Sequence, residues 1–179
     1  MRILVTAGNT QTPIDRVRCI TNIFTGRTGA TIAAEAASRG HAVSLFTSHP
    51  DTAPPGTPIR VEAYRTFEDL ESRLASTVPN GGFDAIVHAA AINDYHVVGT
   101  FAKVEGELVD VSAGKVKGNH AELWMKLIPA PKLVDRFRSA WGFKGTLVKF
   151  KLEVGATDAD LLRIAEASRM HSGADLMVA

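Results

Sequence analysis

The sequence has little that would support a disulfide framework, a membrane span or a nucleic-acid interface. Cys19 is the only cysteine among 179 residues, which excludes a disulfide framework and a cysteine metal cluster within the chain. No apolar run reaches the roughly 18 residues that a membrane-spanning helix needs, and the first residues enter a strand-like run without secretory-signal features. The formal net charge is only +1. We therefore expect a cytoplasmic protein that binds neither nucleic acid nor a membrane.

The remaining composition is that of a globular domain. Apolar residues make up 45% of the chain and charged residues 22%, and the length suits one domain with a sizeable core. The six histidines form no HExxH pattern and no close pair. We therefore expect no metal-binding residue in the chain.

Short apolar runs of strand length alternate with segments of helical periodicity. The predicted strands are residues 3–5, 43–46, 59–64, 84–89, 146–150 and 174–178, and the predicted helices are residues 26–39, 67–76, 158–170 and a segment that starts at Pro131. Continuous apolar strands separated by helices indicate a mostly parallel sheet covered on both faces. With right-handed crossovers, this is a Rossmann-like three-layer α/β sandwich. Residues 99–128, rich in Lys, Glu and Gly, are expected to leave the sheet as a flap or dimer arm.

Ligands of such sheets bind beyond the carboxyl ends of the strands, which directs attention to the loops that begin at Ala7, Ala90 and Lys151. In the first of these, Gly8 stands where a phosphate-binding turn would be, but a long insertion separates it from the next glycines.

Gly26 and Gly29 open the Ala-rich helix after this insertion. Free amides and the partial positive charge at the start of a helix suit a phosphate group. The structural alternative is that Thr25 and Gly26 only cap the helix.

The insertion carries the most specific pattern of the chain. Residues 13–18 read Pro-Ile-Asp-Arg-Val-Arg, residues 20–22 read Ile-Thr-Asn, and residues 25–29 read Thr-Gly-Arg-Thr-Gly. This series resembles the phosphopantothenate–cysteine ligase family, whose pattern is Pro-Ile/Leu-Asp-x-Val-Arg, Ile-Thr/Ser-Asn and a Ser/Thr-Gly-x-x-Gly helix start.

Two residues of the insertion depart from the family pattern. Asn9 replaces the second glycine of the first turn, and we expect the turn to survive because Asn tolerates a positive φ better than most residues. Phe24 stands where relatives often carry a serine, and it cannot donate a side-chain hydrogen bond to a phosphate.

A second motif follows the predicted strand 84–89. Residues 90–95 read Ala-Ala-Ile-Asn-Asp-Tyr and resemble the family's Ala-Ala-Val-x-Asp-aromatic motif. The resemblance implies that the amides near Ala90 and Ala91 and the carboxylate of Asp94 hold the pantothenate moiety. Alternatively, Asp94 caps a following turn.

Two further segments match the family less closely. Residues 114–118 resemble a Lys-x-Lys-Lys segment, in which Gly118 replaces the third basic residue. The resemblance implies that Lys115 stabilises charge on the α-phosphate from a closing flap. Alternatively, Lys115 is a solvated surface lysine. Residues 148–153 resemble Val-Gly-Phe-Lys-x-Glu, with Lys149 in place of the glycine. Phe150 would pack near the nucleotide base, or else belong to the core.

The resemblance implies a ligase that joins 4′-phosphopantothenate to L-cysteine in coenzyme A biosynthesis, through an acyl-nucleotidylate. CTP or ATP would be the co-substrate, with Mg²⁺, and the family is dimeric. Asn22 would bind phosphopantothenate and orient the intermediate, and Arg18 would support the loop that carries Asn22. The implied catalytic residues are Asn22, Lys115 and Arg18. The implied nucleotide-binding residues are Gly8, Thr25, Gly26, Gly29 and Phe150. We expect residues 1–179 to form one ligase domain that stops short of the family's C-terminal portion.

Two other functional classes remain open from the residues alone. The strand at residues 84–91 is also typical of an NAD(P)-dependent reductase or epimerase of the short-chain type, although the Gly8 turn lacks the dinucleotide fingerprint. The departures at Phe24 and Gly118 favour a non-catalytic nucleotide-fold binding protein.

Overall fold

Six parallel strands form the central sheet of the molecule, in a computed structural model that describes residues 1–179. In chain order the strands are β1 (Arg2–Ala7), β2 (Gln11–Pro13), β3 (Cys19–Thr21), β4 (Ala42–Thr47), β5 (Ile59–Ala63), β6 (Ala85–His88), β7 (Tyr95–Val104), β8 (Glu107–Asp110), β9 (Leu123–Pro129), β10 (Thr146–Phe150) and β11 (Leu176–Val178). The helices are α1 (Arg27–Ser38), α2 (Phe67–Thr77), α3 (Leu133–Ser139) and α4 (Asp158–Ser172).

The order of the central sheet is β11-β10-β6-β1-β4-β5, and every neighbouring pair is parallel. The chain starts at β1, adds β4 and β5 on one side, and then returns to place β6 on the other side. The order therefore reverses between β1 and β6, which is the switch point where ligands of such sheets bind.

Apolar side chains cover both faces of this sheet, because successive residues of a strand point to opposite sides. Leu4 of β1 packs with Leu70 and Leu74 of α2 and Phe137 of α3 on one face. The other face packs against the alanines of α1, and its buried members are Ile3, Val5, Ala7, Ala30, Ala33, Ala37, Val43, Leu45 and Ala85. The Rossmann-like three-layer arrangement is therefore confirmed.

The predicted helices and strands of the sheet are confirmed to within a few residues, with two corrections. Gly40 ends α1 with φ 81°, as its position after the Ala-rich segment predicts. Residues 51–58, where three prolines and a glycine predict a loop, begin within a short 3₁₀ turn at Pro50–Thr52. The helix expected from Pro131 begins at Leu133, because Lys132 keeps an extended backbone as its N-cap.

Two smaller sheets stand apart from the central one. The insertion after β1 contains the antiparallel hairpin β2–β3, which the sequence did not predict. The segment expected to leave the sheet at residues 99–128 does so, but it is a three-stranded antiparallel sheet of order β8-β7-β9 that already begins at Tyr95. We call this sheet the arm. None of the helices combines the length and the apolar composition that crossing a membrane would require.

Candidate functional site

The loops after β1 and β6 are joined at the switch point. Gly8 has φ 87°, and its carbonyl accepts a hydrogen bond of 2.8 Å from the amide of Ala91. The amide of Thr10 donates in turn to the carbonyl of Ala91, at 3.2 Å. These bonds place the predicted nucleotide-binding Gly8 beside the predicted phosphopantothenate-binding Ala91.

Asn9 does not take the positive φ that its place in the turn suggested, since Gly8 alone supplies it. Its side chain connects three loops instead. The Asn9 Nδ2 donates to the carbonyl of Asn22, and the Asn9 Oδ1 accepts from the hydroxyl of Ser48 at 2.9 Å. The asparagine is therefore buried as a structural bridge between the first turn, the insertion and the end of β4.

Asn22 lies against the second predicted motif. Its Nδ2 donates a 3.3 Å hydrogen bond to the carbonyl of Ala91. Asn93, to which the sequence assigned no role, ties the same loop to the hairpin by donating to the hydroxyl of Thr12 at 2.9 Å and to the carbonyl of Ile20 at 3.0 Å. The two motifs therefore form one connected surface, in which the structure brings Asn22 and Ala91 together.

Arg18 connects the hairpin to the segment that precedes β9. Its guanidinium donates two hydrogen bonds to Asp15, of 2.6 and 3.1 Å, and one of 2.6 Å to the carbonyl of Val116. The Asp15 carboxylate also accepts from the amide of Val116 at 3.0 Å. These hydrogen bonds hold the pKa of Asp15 well below its usual range, and those from the Arg18 side chain contribute most.

Lys115 lies between two anchored residues of this segment. The carbonyl of Gly114 accepts from the amide of Arg16 at 3.0 Å, and Val116 is buried against the hairpin. Lys115 itself is exposed. Its backbone is therefore fixed while its ammonium group stays free to move.

The start of α1 leaves its first amides without a side-chain cap. Gly26 is the N-cap with φ 78° and makes no capping hydrogen bond, and the first turn holds no acidic residue. Thr25 is exposed and does not cap the helix. A Cβ on Gly26 would lie 2.6 Å from the amide nitrogen of Gly8, and one on Gly29 would lie 2.5 Å from the Cβ of Ala7. The two glycines thus bring the open helix end against the turn after β1.

A pocket of about 150 Å³ lies beyond the ends of β6 and β10. The eleven residues that line it are His88, Ala90, Ile92, Asn93, Asp94, Pro131, Lys132, Leu133, Val134, Lys149 and Phe150. Three of the predicted ligand-binding residues therefore share one pocket: Ala90, Asp94 and Phe150. Phe150 belongs to neither core cluster. The Asp94 carboxylate pairs with the ammonium of Lys132 at 2.5 Å and caps no turn.

Two polar residues to which the sequence assigned no role also line this pocket. His88 and Lys149 are register partners on β6 and β10, and both are buried. The His88 Nδ1 shares a 2.8 Å hydrogen bond with the hydroxyl of Thr6, and that hydroxyl accepts from the amide of Ala90. Burial, reinforced by the charge of Lys149, lowers the pKa of His88 to about 4, so the imidazole is neutral near pH 7.

A second pocket, of about 420 Å³, lies at the hairpin and is rich in arginine, with Arg16, Arg18 and Arg65 among its lining residues. Asn22 and Lys115 line neither pocket. The predicted catalytic residues and Phe150 are therefore not gathered around a single cavity. No group of three or more His, Cys, Asp or Glu side chains is placed to hold a metal ion.

The parallel sheet with its ligand edge at the switch point defines an α/β protein of the Rossmann-like class. The model of one family, the DNA/pantothenate metabolism flavoprotein C-terminal domain, matches residues 1–179. The chain belongs to this family.

Individual proteins show the same relationship. The chain is 34% identical over 179 residues to the coenzyme A biosynthesis bifunctional protein CoaBC of Thermococcus kodakarensis and 30% identical to that of Escherichia coli K12, covering 99% and 100% of this chain. It spans 40% of the length of each of these relatives. The crystal structure of a DNA/pantothenate metabolism flavoprotein from Streptococcus pneumoniae matches with a TM-score of 0.82 at 27% identity, over 99% of this chain and 80% of that one.

Proposed function

We propose that this chain is a ligase that joins 4′-phosphopantothenate to L-cysteine, giving 4′-phosphopantothenoylcysteine in coenzyme A biosynthesis. The observation that carries the proposal is the contact between Asn22 and Ala91, because it joins the two most specific motifs of the chain at the switch point of the sheet. Membership of a family whose curated relatives are named for coenzyme A biosynthesis supports it. The 179 residues would act as one ligase domain.

The reaction proposed for this edge has two steps. A carboxylate oxygen of phosphopantothenate attacks the α-phosphorus of CTP or ATP, the bond to the β-phosphate breaks, and pyrophosphate leaves. The amine of cysteine then attacks the carbonyl carbon of the acyl-nucleotidylate, loses a proton and expels the nucleoside monophosphate. Activating the carboxylate first makes the amide bond accessible near neutral pH. Mg²⁺ bound to the nucleotide would neutralise part of the phosphate charge.

Two surfaces at the ligand-binding edge of the central sheet would each suit one substrate, the nucleotide or phosphopantothenate. The uncapped first turn of α1 offers free amides to a phosphate, with Gly8, Thr25, Gly26 and Gly29 around it. Phe150 would contact the base, and the amides of Ala90 and Ala91 with Asp94 would hold the pantothenate moiety.

Three side chains would assist the chemistry: Asn22 and Arg18 from the insertion after β1, and Lys115 from the segment between β8 and β9. Asn22 would orient the acyl-nucleotidylate; the hydrogen bond from its amide group to the carbonyl of Ala91 supports this role. Arg18 would hold the insertion and the segment between β8 and β9 together through Asp15 and Val116. The exposed ammonium of Lys115, carried on a long flexible side chain, would stabilise the charge that develops on the α-phosphate.

We further propose that the chain acts as a homodimer through the arm. The arm exposes apolar side chains that include Trp124, Met125 and Leu127, and all seven residues of β9 are exposed. Aromatic and methionine side chains of this kind are enriched at protein interfaces. Trp124→Glu should convert a dimer into a monomer in sedimentation equilibrium. A wild-type protein that is monomeric throughout the micromolar range would refute the dimer.

The test of the reaction is product formation by the purified chain. With phosphopantothenate, cysteine, Mg²⁺ and either CTP or ATP, we expect pyrophosphate and nucleoside monophosphate in equal amounts and a new amide detected by mass spectrometry. Omitting cysteine should stop the second step only. Pyrophosphate release excludes a purely binding function, and its absence with both nucleotides would refute the ligase.

The geometry does not favour the reductase alternative. A dinucleotide-binding fold leads from the first strand through a glycine turn directly into a helix, whereas β1 here leads into the β2–β3 hairpin. Thermal stabilisation by CTP or ATP, and none by NADPH, is the expected result of a ligand titration.

A further inference from the structure

Lys149 is a buried lysine at the ligand edge of the central sheet. It is only 8% exposed, lies next to the last residue of β10 and lines the pocket beyond β6 and β10. The family pattern has a glycine at this position, so the resemblance assigns no role to its side chain.

The ammonium of Lys149 has three hydrogen-bond acceptors, none of which is charged. It donates to the hydroxyl and the carbonyl of Ser168, at 3.0 and 3.2 Å, and to the hydroxyl of Ser172, at 3.1 Å. The acidic residue that influences it most, Asp135, makes no hydrogen bond or salt bridge with it. The C-terminal end of α4 contributes only about half a negative charge. The buried ammonium is therefore left without a full counter-charge.

The two neighbouring lysines differ in this respect. Lys132 pairs with Asp94 at 2.5 Å, and Lys151 pairs with Glu153 at 2.7 Å. Burial lowers the pKa of Lys149, and the positive charges of Lys151 and Lys132 lower it further, against the effect of Asp135. An anion in the pocket would supply the opposite charge that this group lacks. It would thereby offset both the free-energy cost of burying the ammonium and the repulsion from the two lysines.

We propose that Lys149 is a further binding residue of this chain, whose buried ammonium complements the negative charge of a substrate phosphate group in the pocket between β6 and β10. The inference rests on the proposed function for the identity of the substrates. The nucleotide is the favoured source of the phosphate, because Phe150 lines the same pocket and suits a base. The phosphate of phosphopantothenate is the other source.

The experiment measures binding rather than turnover. Calorimetric titrations compare wild type with Lys149→Met and Lys149→Gln. One ligand is inorganic tripolyphosphate. The others form two pairs, each a phosphorylated compound and its unphosphorylated form: CTP with cytidine, and phosphopantothenate with pantothenate. In both variants we expect the phosphorylated member of one pair, and tripolyphosphate, to lose about ten- to a hundredfold in affinity, as for the loss of one opposite charge close to the phosphate. The unphosphorylated members should bind unchanged. The pair that responds identifies the source of the phosphate.

A double variant, Ser168→Ala with Ser172→Ala, separates charge from packing. It removes both hydroxyl acceptors of Lys149 but keeps the ammonium, so we expect thermal stability to fall while phosphate affinity stays within about twofold. Lys144→Met, at the exposed amino end of β10, controls for a change in surface charge.

Two results would overturn the inference. The first is tripolyphosphate affinity that is undetectable in wild type or equal in wild type and Lys149→Gln. The second is an equal loss in the double serine variant, which would reduce Lys149 to a clamp on α4. Neither result bears on the ligase itself, which is judged by pyrophosphate release in wild type.

Discussion

The first turns of α1 and α2 meet the same physical requirement in opposite ways. Both leave amides that have no partner within the helix. At α2, the Thr66 hydroxyl accepts from the amide of Asp69 at 3.2 Å, and the Asp69 carboxylate accepts from the amides of Thr66 and Arg65. At α1, Gly26 provides no side chain and no acidic residue follows.

From this contrast we expect the α2 start to serve folding and the α1 start to serve binding. The α2 start is electrostatically complete, since a hydroxyl and two carboxylates occupy its first turn. The α1 start lies against the Gly8 turn at the switch point and is open to an anion. Substitutions around α1 should therefore affect ligand binding and catalysis, and substitutions around α2 should affect stability alone.

The largest expected effect is that of Asn22→Asp, in the loop that leads into α1. The substitution replaces the amide that donates to the carbonyl of Ala91 with a carboxylate, which cannot donate a hydrogen bond to the oxyanion that forms when cysteine attacks. We expect product formation to fall by about 10²- to 10³-fold, as for loss of one oxyanion donor, while the acyl-nucleotidylate accumulates. Quenched-flow assays with mass detection measure both quantities.

The matched control is Asn80→Asp, in the exposed turn after α2, where the side chain bonds only to the carbonyl of Ser76. It makes the same chemical change far from the ligand edge and should leave both rates unchanged. Unimpaired product formation by Asn22→Asp would remove Asn22 from the mechanism.

Gly29→Ala tests the close approach of α1 to β1. The added methyl group would lie 2.5 Å from the Cβ of Ala7, so the helix must shift away from the strand. Overpacking of this kind typically costs about 1–3 kcal/mol, which urea unfolding would detect. Gly118→Ala, where nothing lies within 4 Å of the added group, is the control. Equal stability of the two variants would mean that α1 has room to move.

The sequence predicted the central sheet well because its strands are buried on both faces. Residues 3–5, for example, are apolar throughout and are consistent with a parallel strand buried on both faces. The strands of the hairpin and the arm were not predicted, for a physical reason. Strands β2 and β3 have three residues each, too few for a period, and β9 is apolar yet entirely exposed, so its pattern does not follow burial within the chain.

The site was predictable where residues form a motif and not where they meet only through the sheet register. Asn22 and Ala91 each belong to a motif, and their contact agrees with the resemblance. His88 and Lys149 lie far apart in sequence, and only the pairing of β6 with β10 places them side by side. The sequence shows Lys149 as a lysine in place of the family's glycine, but not that its side chain is buried. The partners of Asn93 depend on a hairpin that the sequence did not reveal.

Thr66→Ala sharpens the comparison from the α2 side. It removes the hydroxyl that caps the helix, and we expect a loss of about 1 kcal/mol in the free energy of unfolding. The affinity for CTP or ATP, measured calorimetrically, should not change. A nucleotide affinity that falls with Thr66→Ala would show that the two helix starts are coupled.

Thr25→Ala is the counterpart at α1 and should have the smallest effect on stability. The Thr25 hydroxyl is exposed and caps nothing, so the free energy of unfolding should stay within about 0.5 kcal/mol of wild type. If Thr25 donates to a nucleotide phosphate, its removal should weaken CTP or ATP binding about two- to tenfold, the range for one hydrogen bond. A stability loss as large as that of Thr66→Ala, with unchanged nucleotide affinity, would mean that both helix starts serve folding only. Unchanged stability of Thr25→Ala together with weaker nucleotide binding would locate anion recognition at α1, because only the uncapped helix would then respond to the ligand.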